Sequence, residues 1–116
     1  MNPLPEDYAY DLAIIRETSQ QIIKDFNIDG FEINFSGNHI LAFEELKAQI
    51  IPRLKQLLKG DKAVFKSLLY RIDVSEREYR EALKEDAESF EDRLAEIIIR
   101  REFKKVLIRK YHSGKG

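Results

Sequence analysis

SFEDRLAEIIIRREFKKVLIRKY, residues Ser89–Tyr111, is the stretch whose reading decides how this chain folds. Phe90, Leu94, Ile97 and Ile98 recur at helical spacing and make one apolar stripe. Ala95, Ile99, Phe103 and Val106 make a second, on nearly the opposite side. At 1.5 Å per residue such a helix is roughly 33 Å long. A helix on the surface of a domain needs only one apolar face. Two faces mean that the helix is wrapped by its own domain, or that one face meets another chain. In a domain this small, the second stripe is expected to be a homodimer contact, because an uncovered apolar patch is a liability. The charges suit the helix dipole, with Glu91, Asp92 and Glu96 early and Lys104, Lys105, Arg109 and Lys110 late.

Working outward, the whole chain has 116 residues, about one domain, with 43% apolar and 35% charged residues. That balance fits a folded core under a highly charged surface rather than disorder. Cysteine is absent, which excludes disulfides, thiolate metal sites and cysteine nucleophiles. No apolar run approaches the ~18 residues that span a bilayer, and MNPLPEDYAYD does not read as a secretory signal. The expected location is the cytoplasm. The net charge of -1 conceals blocks of alternating sign. Residues 1–45 carry nine acids against two bases, and 46–72 carry seven bases against one acid. Residues 73–96 carry ten acids against four bases, and 97–116 seven bases against one acid. Such blocks favour antiparallel packing of successive segments, although exposed pairs contribute only about 0–1 kcal/mol each.

The N-terminal half reads as helices around one extended piece. Pro3, Pro5, Glu6 and Asp7 suit a helix entry, and Tyr8, Leu12, Ile15, Ile22, Ile23 and Phe26 share a face, predicting a helix over about 6–26 stopped by Gly30. Phe31–Phe35 alternates apolar and polar and is followed by the turn residues Ser36-Gly37-Asn38. With no partner strand in the chain, it is expected to be an extended arm over the core, or else a strand pairing with its own copy. A second helix is predicted over about 40–59, with Phe43, Leu46, Ile50, Leu54, Leu57 and Leu58 buried. Pro52 lies nearly opposite that stripe, so a bend is expected rather than a break. Gly60 and Asp61 stop it and cap a third helix, about 62–71, burying Val64, Phe65, Leu68, Leu69 and Ile72.

Next comes LLYRIDVSEREYREAL, residues Leu68–Leu83, the end of one helix, a short joint and the start of another. Ser75-x-x-Glu78 is a capping box, and Tyr79, Ala82 and Leu83 are predicted to point inward. Ser89-x-x-Asp92 offers a separate start for the last helix. Leu68, Ile72, Val74, Ser75, Tyr79, Ala82 and Leu83 resemble the helix-turn-helix pattern of DNA-binding proteins. Leu69 and Asp73 depart from it, standing where a small residue and a glycine are expected. The would-be recognition helix also carries Glu76, Glu78, Glu81 and Glu85 against Arg77, Arg80 and Lys84. Phosphate neutralisation dominates DNA affinity, so a net negative helix favours a plain helix corner.

Arg100, Arg101, Lys104, Lys105, Arg109 and Lys110 form a candidate basic patch for nucleic acid or an acidic protein. The acidic blocks and the sequence pI near 6.2 favour a helix end that pairs with the acidic first helix. Signals for an enzyme are weak. His39 and His112 are the only histidines, no metal-ligand spacing is present, and Ser75 has no neighbouring base. Buried carboxylate pairs remain open from sequence. Tyr70-Arg-Ile-Asp-Val-Ser-Glu76 and the ending Arg109-Lys-Tyr-His-Ser-Gly114 are similar to segments of small uncharacterised helical proteins from bacteria. That resemblance implies no activity and no site residues.

The expectation is a single all-α domain over residues 1–116: a bundle of four to five helices with one extended arm at about 31–35 and a frayed tail at 113–116. It implies a non-enzymatic interaction or assembly module that self-associates through the last helix. No cofactor, metal or membrane is expected, and nucleic-acid association through the basic stretch is the alternative.

Overall fold

The computed structural model describes the backbone of residues 11–84 and 90–113, with side chains to residue 110. Among these residues there are five helices and no strand: α1 Leu12–Phe26, α2 Ala42–Lys59, α3 Lys62–Ile72, α4 Glu76–Leu83 and α5 Phe90–Ser113. The chain is an all-α bundle, as the periodicities imply. The 24 residues of α5 give a length of about 36 Å at 1.5 Å each. The helix is therefore nearly as long as the molecule's longest dimension, 38 Å.

The apolar pattern of α5 explains the architecture. Leu94, Ala95, Ile97, Ile98, Ile99, Phe103 and Val106 are all buried, covering both stripes of the helix. The helices α1, α2, α3 and α4 all pack against it. It is the central post of the bundle, and the other helices contribute one face each: Ile14, Ile15, Ile22 and Phe26 from α1, and Phe43, Leu46, Ile50 and Leu54 from α2. A helix with apolar residues on two opposed faces is the one that others cover on both sides.

Local chemistry sets the helix ends, and it corrects several expectations. Asp11 is extended and its carboxylate accepts from the Ile14 N–H at 3.2 Å, so α1 begins at Leu12. The entry expected near residue 6 lies outside the described residues. Asn27, at φ 52°, ends α1 in place of Gly30, since its short polar side chain tolerates the left-handed region. The helix α2 passes through Pro52 without a break. Val64 and Leu83, expected inside, are 50% and 52% exposed. The core-facing residues of α3 are Phe65, Leu68 and Ile72, a narrow stripe that leaves Val64 off to one side. The cap expected at Ser89 lies outside the described residues.

Phe31–Phe35 is an extended arm rather than a strand. Phe31 is buried against Phe26, ring centroids 5.6 Å apart, while Ile33 and Phe35 pack on the core edge. A side chain of α2 takes the place of a neighbouring strand. Gln49 accepts from the Asn34 N–H at 2.9 Å and donates to the Asn34 carbonyl at 2.8 Å. Glu45 accepts from the Ser36 N–H at 3.2 Å. These bonds satisfy backbone groups that an isolated arm would leave to water.

Candidate functional site

The residues expected to form a dimer contact are inside the molecule. Ala95, Ile99, Phe103 and Val106 are each 0% exposed within the single chain. Both stripes of α5 are thus covered by the chain's own helices, and the second has no surface to offer a partner.

The basic stretch also turns inward. Arg101 donates to Glu78 at 2.6 Å, with Arg100 3.6 Å from the same carboxylate. Lys105 lies 3.3 Å from Asp25, Lys110 lies 3.1 Å from Glu17, and Arg109 donates to Gln21 at 2.9 Å. Lys104 is exposed. Three of these bonds join α5 to α1 in antiparallel register, residues 105, 109 and 110 meeting 25, 21 and 17. On α2, Lys47 bridges Asp92 and Glu96 of α5 at 3.3 and 3.4 Å. Burial lowers the Lys47 pKa, but these carboxylates outweigh it and hold the pKa above the usual lysine range.

One carboxyl among these charges stands apart. Glu102 is 0% exposed, and neither of its oxygens has a donor among the described residues. Burial, reinforced by the adjacent Asp25 carboxylate, pushes its pKa up to about 9, against the pull of Lys105 and Arg109. Protonation lets one of these oxygens act as an O–H donor toward Asp25, which the raised pKa reflects. Burial works to raise Asp25 as well, but bonds from Glu102, Gln21 and Lys105 prevail and its pKa is lowered. The two carboxyls therefore share one proton inside the α1–α5 seam. The spacing carried a sign of this. Glu102 stands four residues from Ile98 and Val106 and three from Ile99, a polar residue placed in an apolar arc.

An open apolar feature lies at the corner between α3 and α4. The turn has two bonds of a Schellman motif, Val74 N–H to Leu69 carbonyl at 2.9 Å and Asp73 N–H to Tyr70 carbonyl at 3.1 Å. Asp73 adopts φ 65°, a conformation that usually falls to glycine. The capping box opens α4: Glu78 N–H donates to Ser75 Oγ and Ser75 N–H to Glu78 Oε1, both at 3.1 Å. Ser75 and Arg101 draw the Glu78 pKa down although burial opposes them. One carboxylate thus starts α4 and ties it to α5.

That corner encloses a groove of about 590 Å³ floored by Leu58, Phe65, Leu69, Val74 and Tyr79. Phe65, Tyr79 and Phe90 stack in series, with centroids 5.9 and 5.8 Å apart. Tyr70 stands at the edge, 88% exposed. Lys62 and Lys66 form the rim on the α3 side, and Glu76 on the α4 side. Residues 62, 65, 66, 69 and 70 of α3 follow helical spacing and line a face adjacent to the core face, with Phe65 shared by both. Leu69 does pack against the core edge as expected, and what the sequence did not flag is the exposed Tyr70 beside it. The visible sign was an apolar arc on α3, from Val64 round to Ile72, wider than one face requires.

Among the described residues no group of three or more acids or histidines could hold a metal ion, and no helix is long and apolar enough to cross a membrane. No family model, curated protein or solved structure matches the chain.

Proposed function

We propose that the chain is a non-enzymatic interaction module that receives an apolar surface of another polypeptide in the α3–α4 groove. The observation that carries this reading is the exposed Tyr70 beside an open apolar groove. Tyrosine is among the residues that anchor interfaces, because it offers large rigid area at low entropic cost. Catalysis has less support. Glu102, with its strongly raised pKa, is fully buried and meets no substrate. The Ser75 hydroxyl is occupied by the α4 cap. Nucleic-acid binding is weakened by the pairing of Arg100, Arg101, Lys105 and Lys110 with the chain's own carboxylates.

The test is a photo-crosslinking amino acid placed at Tyr70 and, as a control, at Lys104, which is exposed on α5. The expected result is a discrete protein adduct in cells from position 70 and none from position 104. Equal labelling at the two positions, or none at position 70, overturns the reading.

A further inference from the structure

We infer that the α3–α4 groove receives an acidic segment of another polypeptide, with its apolar side chains in the groove and its carboxylates on the lysines of the α2–α3 edge. This inference rests on the interaction-module reading and names the chemistry of the partner.

The lysines carry the choice. Lys62 and Lys66 rim the groove on α3, and Leu58 brings the last turn of α2 to its floor. Lys55 stands three residues before Leu58, on the same helix face, and Lys59 stands one turn past Lys55. All four lysines are exposed, and none forms an ion pair among the described residues. The one carboxylate between them, Asp61, caps α3 by accepting from the Ala63 N–H at 2.8 Å. Across the groove Glu76 is held by Arg80 at 2.9 Å, so it is not a counter-charge for the lysines. The basic end of α5 is the contrast, because Arg101, Lys105 and Lys110 each meet a carboxylate of α4 or α1. The fold completes that basic block and leaves the α2–α3 block, beside an open apolar hollow, without partners of its own. A segment bearing carboxylates supplies what this edge lacks, and opposite charge fixes its orientation. The floor of Leu58, Leu69, Val74 and Tyr79 takes its aliphatic or aromatic side chains. A polynucleotide fits less well, because it carries a phosphate at every residue whereas the lysines line one edge only. A lipid surface needs apolar side chains that project, whereas these line a hollow.

Selection of a random displayed-peptide library on the full chain reads this chemistry directly. The expected result is enrichment of peptides that carry Asp or Glu beside Leu, Ile or Phe. A labelled peptide from that selection is then titrated by fluorescence anisotropy. Lys62→Glu/Lys66→Glu should weaken its binding by at least about tenfold, and added salt should weaken it as well. Lys104→Glu, on the exposed side of α5, should leave it unchanged. A version of the peptide with Lys in place of its acids should bind the Lys62→Glu/Lys66→Glu chain better than the wild type, an exchange that damage to the fold cannot produce. Unchanged circular dichroism melts verify that the variants are folded. Enrichment of uncharged or basic peptides, no enrichment, or binding indifferent to Lys62 and Lys66 overturns the inference. So does binding of a mixed-sequence single-stranded oligonucleotide or of phosphatidylserine vesicles that the double variant abolishes while no acidic peptide is selected, since that assigns the lysines to phosphate. If no acidic peptide is selected but position 70 crosslinks to a protein in cells, the interaction reading stands and only the acidic chemistry falls. If position 70 also crosslinks to nothing, both fall.

Discussion

Along the α1–α5 seam the chain buries Glu102 completely, with no donor to it among the described residues, whereas at the α3–α4 corner it leaves Tyr70 88% exposed beside an apolar groove. Polar groups usually face water and large apolar groups usually avoid it. Each region departs from that rule, in opposite directions. The seam resolves its departure internally, because Asp25, Gln21, Lys105 and Arg109 surround the acid. At the corner the apolar surface of the groove and Tyr70 stay open to solvent. The comparison separates two kinds of anomaly: one that the fold completes, and one that another surface completes.

The largest expected effect tests whether the second α5 stripe is interior. Phe103→Ala should lower unfolding free energy by about 3–5 kcal/mol. Urea denaturation at two protein concentrations gives the same loss at both if Phe103 is a core residue. A loss confined to the dilute sample would return that stripe to an interface.

The seam makes a pH prediction. Glu102 binds its proton more tightly folded than unfolded, with a pKa near 9 against an ordinary 4.5. Its contribution is fully present below about pH 4.5 and is lost as pH rises toward 9. Stability should fall across that window, by at most about 1.4 kcal/mol per pH unit from this group. Asp25 works the other way, its contribution being present above its unfolded pKa and lost as acid titrates it below that value. Glu102→Gln retains a donor toward Asp25 and cannot ionise. Its stability measured from pH 5 to 9 should be flatter than the wild type's, and parallel profiles would remove the shared proton.

Smaller effects belong to the corner. Ser75→Ala removes one bond of the capping box and should cost about 1 kcal/mol in thermal or urea unfolding. Tyr70→Ser should change monomer stability by no more than about 0.5 kcal/mol, as for other exposed positions. A larger loss would mean that Tyr70 supports its own fold, which would dissolve the contrast between corner and seam.

Much of this was legible in the residues. The helical class follows from spacing, and the α4 start follows from Ser75 and Glu78, whose reciprocal bonds are local in sequence. The Phe31–Phe35 alternation marked an arm, and the structure supplied its partner, Gln49, fifteen positions along. The assignment of faces was harder. The two stripes of α5 were read correctly, but one was given to a second molecule. Periodicity reports that a face is apolar and says nothing of which surface covers it.

By itself the sequence determined the helices, the caps at Asp61 and Ser75 and the two-sided apolar character of α5, because these depend on neighbours within a turn or two. The pairing of the basic end of α5 with acidic α1 was also expected, whereas only tertiary structure decided that α5 stands at the centre, that Glu78 of α4 holds Arg101, and that Glu102 is buried beside Asp25. Those outcomes join residues tens of positions apart, where burial and charge act through space. The groove is more local: its lining falls within residues 58–79, where α3 and α4 follow one another across the left-handed turn at Asp73.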